Sequence, residues 1–329
     1  MLMKRLSKLH QSIAAQLANN FGHSVRDMAK CGDHRSRKAT FVEMGIQLSE
    51  FKKDLADGDR FVKVIKQAAE DNAAEFTLPA VKFTVTVREL GHAPMPTFVL
   101  NERDEMQPTI IYLPGGAFFA QPMKEQWEYA NRLAEQTGAR VYVTVYPLLP
   151  QHGFKAAYQA LSQLYQQIYA HTPASDITIL GDSAGGNLAA GFCEYLAAKQ
   201  QPRPGRLILI SPWLDLDLTN PTIAKYEQVD VTLSVAGLRR IADRWAEDTA
   251  HDDYRLSPIN GDPTGFRKVM VIAGTREIMY PDCARFVCRL RDAEIPVQFE
   301  VGRDLFHIFP IYPIPESDAM MKKVNAFLH

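Results

Sequence analysis

The sequence contains no apolar run long enough to cross a bilayer, no excess of charge of one sign and few cysteines. A membrane-spanning helix needs about 20 predominantly apolar residues, so stable membrane insertion is not expected. There are 37 Lys and Arg residues against 38 Asp and Glu, a net charge of −1. Binding to nucleic acid is not expected either, because it depends on a basic surface. The 4 cysteines are too few for a disulfide-built fold, and we interpret them as free thiols of a cytoplasmic protein.

The composition is that of a globular protein, with 46% apolar and 23% charged residues. Residues 1–75 have the residue spacing of helices, and we interpret them as a helical cap segment that precedes a catalytic domain at residues 76–329. The first helix is predicted to be amphipathic and to pack on the body of the protein. Its apolar residues recur every three or four positions, at Leu2, Leu6, Leu9, Ile13 and Leu17.

From about residue 109 to the end, short apolar runs alternate with segments of helical length. This alternation predicts an α/β fold with a mostly parallel central sheet and helices on both faces. Two earlier strands are predicted at residues 81–87 and 97–100. Residues 213–262 are too many for a simple crossover and contain a further helix, which we interpret as a cap insertion. The apolar runs are 109–113, 141–146, 177–180, 207–210, 269–273 and 297–301.

The strongest local motif is Gly181-Asp182-Ser183-Ala184-Gly185, which follows the strand at 177–180 and begins a helix. Glycines two positions before and after a serine permit a tight turn that exposes the hydroxyl above the sheet. The N-terminus of the following helix favours negative charge that develops beside it. The motif therefore predicts that Ser183 is a nucleophile.

A serine nucleophile needs a base, and His307 is the best placed of the 9 histidines. It follows the last predicted strand and comes after Ser183 in the chain, as this arrangement requires.

The acid that orients His307 is expected just after the strand at 269–273, where Glu277 lies. Two other acids remain open from the sequence alone. Asp282 falls in the first turn of the next helix, and Asp215 follows the strand at 207–210.

Acyl transfer also requires N–H groups that stabilise the oxyanion of the tetrahedral intermediate. One is expected from Ala184, the residue after the nucleophile. The others are expected from the loop that follows the strand at 109–113, which carries Gly115, Gly116 and Ala117. Small residues allow the backbone to approach the substrate oxygen closely.

Together these motifs resemble the hormone-sensitive-lipase-like family of α/β-hydrolases over residues 80–329. The resemblance implies an α/β-hydrolase fold with a helical cap, and is closest to bacterial short-acyl esterases and monoterpene-lactone hydrolases. It also implies that Gly116 and Ala117, rather than Gly115, are the loop donors. The chain departs from the family at Pro114, where a histidine is usual, and at Glu277, where aspartate is usual. The matching segments are 181–187 (GDSAGGN), 146–152 (YPLLPQH), 211–216 (SPWLDL), 257–259 (SPI) and 306–310 (FHIFP).

The sequence thus predicts a serine carboxylic-ester hydrolase that acts on small to medium acyl esters through an acyl-enzyme on Ser183. A lactonase, amidase or thioesterase would use the same triad, and a non-catalytic ligand-binding member of the fold is the remaining alternative. No metal or organic cofactor is expected, since no metal-ligand spacing is present. The expected partner is a small-molecule ester, and a homodimer is compatible with a sequence that gives no evidence on oligomeric state.

Overall fold

The computed structural model describes residues 34–329, which are built around one eight-stranded sheet. The strand order is β1-β2-β4-β3-β5-β6-β7-β8. The first two strands are antiparallel to their neighbours, and all other pairs are parallel. The predicted fold class is therefore confirmed. The strands are β1 (Val87–Glu89), β2 (Thr97–Leu100), β3 (Thr109–Leu113), β4 (Arg140–Thr144), β5 (Ile177–Asp182), β6 (Arg206–Ile210), β7 (Val269–Gly274) and β8 (Val297–Gly302).

Ten α-helices of the described residues surround this sheet. They are α1 (Arg37–Leu48), α2 (Phe51–Ala56), α3 (Gly58–Ala73), α4 (Lys124–Thr137), α5 (Phe154–Tyr169), α6 (Ala184–Ala198), α7 (Ile223–Glu227), α8 (Val235–Trp245), α9 (Tyr280–Asp292) and α10 (Pro315–Leu328).

The core lies on both faces of the sheet, because alternate side chains of a strand point to opposite faces. In β3, Ile110 and Tyr112 pack in one apolar cluster, while Ile111 and Leu113 pack in the other. Helices α1, α4 and α10 contribute to the first cluster, and α5, α6 and α9 to the second. Strands buried on both faces explain the continuous apolar runs in the sequence.

The strand predicted at residues 81–87 is wrong over most of its length, since β1 begins only at Val87. Residues 81–86 are extended but lie against α4: the Thr84 N–H donates to Asn131 Oδ1 at 2.9 Å. Val81, Phe83 and Val85 pack partly buried on the first core cluster. The alternating pattern thus reflects one-sided burial on a helix rather than pairing in the sheet.

The predicted cap segment is divided between two places in the described part of the chain. Helix α1 packs with α10, whereas α2 packs against α8, where a Cβ built on Gly237 would lie 2.6 Å from Leu55 Cβ. Arg240 donates from α8 to the carbonyl oxygens of Leu55 and Ala56, at 3.0 and 2.8 Å. The amphipathic helix predicted from Leu2 to Leu17 lies outside the described residues.

Residues 34–329 contain neither a candidate membrane-spanning helix nor a cluster of metal-binding side chains. None of the helices there is both long and apolar enough to pass through a membrane. That same range holds no group of three or more His, Cys, Asp or Glu side chains arranged to bind a metal ion.

Candidate active site

Ser183 lies at the sharp turn between β5 and α6, with φ 53° and ψ −121°. Few residues other than glycine adopt such angles, and backbone strain of this kind is held in place by surrounding contacts. Gly185 permits the turn, because a Cβ built there would lie 1.9 Å from the carbonyl oxygen of Leu113. The Ser183 N–H also donates to the Ile210 carbonyl oxygen at 2.9 Å, which fixes the turn to β6.

A continuous chain of hydrogen bonds joins Ser183, His307 and Glu277, which the sequence places far apart. His307 Nε2 lies 2.9 Å from Ser183 Oγ, and His307 Nδ1 lies 2.5 Å from Glu277 Oε2. Because a carboxylate can only accept, Nδ1 carries the hydrogen, and Nε2 is left to accept the serine hydroxyl proton. The exposed fractions of the three residues are 7%, 2% and 0%, so bulk water competes little with these bonds.

Glu277 is also fixed through its second carboxylate oxygen. Oε1 accepts from the Ser211 hydroxyl at 2.8 Å and from the Gly274 N–H at 2.6 Å. The Ser211 oxygen accepts in turn from the Ile308 N–H at 3.0 Å, so one hydroxyl bridges the acid and the residue after His307. Ser211 was not among the predicted site residues, although its place directly after β6, at the carboxyl edge of the sheet, could have indicated a role in the site.

The environment of His307 raises its pKa above the usual 6.5. Burial lowers the pKa, but the hydrogen bond that His307 donates to Glu277 and the negative charges of Glu277, Asp230 and Asp182 outweigh that effect. These carboxylates come from the loop after β7, from the cap insertion and from the end of β5.

The two other candidate acids lie elsewhere and bind different partners. Asp215 accepts from the Thr219 N–H and hydroxyl, at 2.8 and 2.6 Å. Asp282 accepts from Asn220 at 3.0 Å, and burial raises its pKa to about 6. Only Glu277, among the three acids weighed, contacts His307.

The predicted oxyanion loop, residues 114–120, lies directly beside the nucleophile. A Cβ built on Gly115 would lie 2.8 Å from Ser183 Cβ, and Gly116 has φ +149°, which a side chain would strain. The Gly115 N–H lies beside the Asp182 carboxylate and helps to lower its pKa, and Gly115 remains a predicted oxyanion donor. Within residues 34–329, no hydrogen bond uses the N–H of Gly116 or Ala117.

Neighbouring elements hold this loop in place. Asn72 of α3 donates to the carbonyl oxygens of Phe119 and Leu149, both at 2.8 Å, and Tyr146 donates to the Pro114 carbonyl oxygen at 2.9 Å. Asp182 accepts from Tyr112 at 2.6 Å as well as from the loop. The loop is therefore fixed before any substrate binds.

Three buried aromatic rings stack beside the oxyanion loop. Phe118 of the loop lies between Trp213, which follows β6, and Trp245, at the end of α8. The ring centroids are 5.4 Å apart for Phe118 and Trp213 and 4.2 Å for Phe118 and Trp245. We call these three residues the aromatic stack, which joins the predicted oxyanion loop to α8.

Comparisons with known proteins agree with this geometry. Residues 110–311 match a family described as having the α/β hydrolase fold. An esterase of Acinetobacter venetianus is 30% identical over 250 residues, covering 74% of this chain and 82% of that one. The chain belongs to this α/β-hydrolase family. An acetyl-hydrolase of Streptomyces hygroscopicus is 28% identical over 223 residues, covering 67% of this chain and 75% of that one.

Solved structures extend the likeness to the whole fold. A protein from Staphylococcus aureus has a TM-score of 0.81 and 27% identity, and the match covers 85% of this chain and 97% of that one. An esterase of the bacterial hormone-sensitive lipase family has a TM-score of 0.71 and 22% identity, over 83% and 98% of the two chains. The resemblance to the α/β-hydrolases is therefore confirmed, and the likeness to the hormone-sensitive-lipase esterase shows a shared fold.

Proposed function

We propose that this protein hydrolyses carboxylic esters of small to medium acyl chain length through an acyl-enzyme on Ser183. The single observation that carries the proposal is the hydrogen-bonded chain from Ser183 through His307 to Glu277. The protein is a carboxylesterase-type serine hydrolase, as its esterase and acetyl-hydrolase relatives also indicate.

In the proposed mechanism, Ser183 Oγ attacks the acyl carbon while its proton passes to His307 Nε2. The N–H groups of Gly116, Ala117 and Ala184 stabilise the tetrahedral oxyanion. His307 then protonates the leaving alcohol, and the acyl group stays on Ser183. Water attacks this ester with His307 as base, and the acid is released as Ser183 regains its proton. Glu277 holds His307 in the correct tautomer and offsets its positive charge.

The limit on acyl length is proposed from the aromatic stack. Phe118 directly follows two of the proposed oxyanion donors, so the acyl group of a bound ester would lie close to its ring. Large buried rings in mutual contact are costly to displace, which favours short acyl groups over long ones. The cap is proposed to consist of α2, α3, α7 and α8, since α2 and α8 are packed on each other.

Three further properties are proposed: a small-molecule ester as partner, a cytoplasmic location and a homodimer. The expected partner is a small-molecule ester, as for the relatives named esterase and acetyl-hydrolase. The cytoplasmic location is supported by three described cysteines that are all free. The proposed homodimer is tested by light scattering during size-exclusion chromatography, which measures the molecular mass of the protein in solution.

The direct experiment is hydrolysis of p-nitrophenyl acetate, butyrate, octanoate and dodecanoate by the wild type and by Ser183→Ala. We expect wild-type activity that is highest on acetate or butyrate, and no activity in the variant. A folded wild type that cleaves none of these esters would contradict the proposal, and lactone, amide and thioester substrates would then be compared. Equal activity on dodecanoate and acetate would contradict the acyl-length limit alone.

A further inference from the structure

His34 and Arg35 contact the loop that carries His307. The His34 N–H donates to Asp304 Oδ2 at 3.2 Å, and the Arg35 guanidinium donates to the Asp304 carbonyl oxygen at 3.2 Å. The next residue, Ser36, caps α1 and donates from its hydroxyl to Glu316 of α10 at 2.9 Å. Residues 34–36 are thus attached to the body of the domain rather than to the proposed cap.

Glu43 of α1 connects this segment to the acid loop, which we define as residues 275–279. Its side chain is buried and makes ion pairs with Arg35 at 2.5 Å and with Arg276 at 2.9 Å. Arg276 directly precedes Glu277, and its N–H donates to the Leu305 carbonyl oxygen at 2.9 Å. The Glu43–Arg276 pair therefore binds at the point where the acid loop and the histidine loop meet.

The buried carboxylate of Asp230 binds Ile278, the residue that directly follows Glu277. Asp230 Oδ2 accepts from the Ile278 N–H at 2.9 Å, while Asp230 Oδ1 accepts from Thr232 and Leu233, at 2.7 and 2.9 Å. The backbone of this turn is fixed in turn by Lys52 of α2, which donates to the Asp230 carbonyl oxygen at 2.6 Å. Residues on both sides of the triad acid are thus bound to carboxylates from distant parts of the chain.

A buried ion pair is weak evidence for stability, because the desolvation of both charges offsets most of their attraction. The presence of the buried Glu43–Arg276 ion pair is better explained by a role in positioning the acid loop. The acid loop consists of turns rather than a helix or strand, yet Glu277 must remain within hydrogen-bond distance of His307. Small misplacements of catalytic groups by remote contacts can cost large factors in rate.

We infer that Glu43 and Asp230 are positioning residues that hold the acid loop from both sides, so that the segment at 34–48 supports catalysis as well as packing. Glu43 acts through Arg276, and Asp230 acts through the backbone of Ile278. Neither residue touches the reacting atoms. The inference rests on the proposed function, because it concerns the same triad.

The test measures kcat and KM on p-nitrophenyl butyrate for Glu43→Gln and Arg276→Met. We expect kcat to fall by about tenfold in both variants, with KM and the order of acyl-chain preference unchanged. Glu43→Asp, which keeps the charge, should recover part of the loss.

In Glu43→Gln and Arg276→Met, the midpoint of the acid limb of the pH profile should move down toward 6.5, the ordinary pKa of histidine, because Glu277 would bind His307 less well. Arg276→Met keeps the Glu43–Arg35 pair and so serves as the variant that is less costly to fold.

The matched control is Glu50→Gln. Glu50 lies on the same N-terminal part of the chain and pairs with Lys53 and Arg60, but it is exposed to solvent, so its variant should keep wild-type kcat. Folded Glu43→Gln and Arg276→Met with kcat within about twofold of wild type would overturn the inference. So would a loss that appears only in KM and in chain-length order, since that is the behaviour of a substrate-binding cap. If the wild type itself hydrolyses no ester, the proposed function has failed rather than this inference.

Discussion

Glu277 has three hydrogen-bond partners, and one of them is His307, which distinguishes it from Asp215 and Asp282. An aspartate is one methylene shorter, so it would not reach His307 from the same backbone position. The longer side chain therefore fits a loop that lies further from the histidine. Sequence reasoning chose Glu277 from its place after β7, but only the contacts separate it from Asp282 and Asp215.

The first prediction concerns this acid. Glu277→Gln should lower kcat by about 10³–10⁴, because an amide no longer holds the imidazole in the tautomer that accepts the serine proton. The measurement is steady-state hydrolysis of p-nitrophenyl butyrate. Asp215→Asn and Asp282→Asn are the matched controls and should retain most of the activity. A large loss in either control, with Glu277→Gln active, would transfer the role to that residue.

The second prediction concerns pH. The pKa of His307 is raised, so its neutral form, which is the base, becomes available only above the ordinary value of 6.5. We expect kcat/KM to rise with pH through a midpoint above that value. Asp230→Asn should move the midpoint down, because one of the negative charges that raise the pKa is removed. The profile is measured by pH-stat titration of released acid, and a profile flat down to about pH 4 would exclude His307 as the base.

At the scale of elements, the strands buried on both faces and the helices between them were predictable from sequence. Their periodicity is a local property that burial imposes on each segment. The segment at 81–86 was not predictable in this way, because an extended chain on a helix and an edge strand both alternate in polarity. The sequence also did not reveal that α1 packs on α10 while α2 packs on α8, since periodicity identifies the apolar face of a helix but not the element that covers it.

The third prediction concerns the aromatic stack, which connects three separate elements. Trp245→Ala should raise kcat/KM on p-nitrophenyl octanoate relative to acetate by about tenfold, because removing the indole opens space beside the oxyanion loop. Trp245→Phe keeps a ring in contact with Phe118 and should stay close to wild type. The ester series gives the readout. If Trp245→Ala, folded, keeps the wild-type chain-length order, the stack does not limit the acyl group.

For the molecule as a whole, some contacts that support the loops of the site join residues more than 200 positions apart. The Glu43–Arg276 pair is one example, and the Arg35–Asp304 contact is another. Single-sequence patterns do not reveal such pairs, because each partner alone resembles an ordinary surface charge. The triad was predictable, although its contacts join residues 124 and 30 positions apart, because each of its members carries a local signal at the end of a strand.

The fourth prediction concerns stability. Glu194 of α6 is buried against Gly261, neither of its carboxylate oxygens has a hydrogen-bond partner among the described residues, and burial raises its pKa well above 4.5. A carboxyl whose pKa is raised in the folded state makes the folded protein less stable as pH increases above 4.5, because the same carboxyl ionises first in the unfolded chain. Glu194→Gln should therefore raise the melting temperature more at about pH 8 than at about pH 5.

The control for this measurement is Glu50→Gln, since hydrogen bonds from Lys53 and Arg60 lower the pKa of Glu50. Thermal unfolding followed by circular dichroism at both pH values gives the comparison. A Glu194→Gln variant that is less stable than wild type at the higher pH would show that the carboxylate is paired rather than isolated.

The most direct test of the central claim is covalent labelling of the nucleophile. A fluorophosphonate reacts with a serine only when a base activates it, and peptide mass spectrometry identifies the labelled residue. The account predicts a single adduct on Ser183, absent in Ser183→Ala and formed far more slowly in His307→Gln. A folded wild type that forms no adduct, or one that is labelled on another serine, would contradict it.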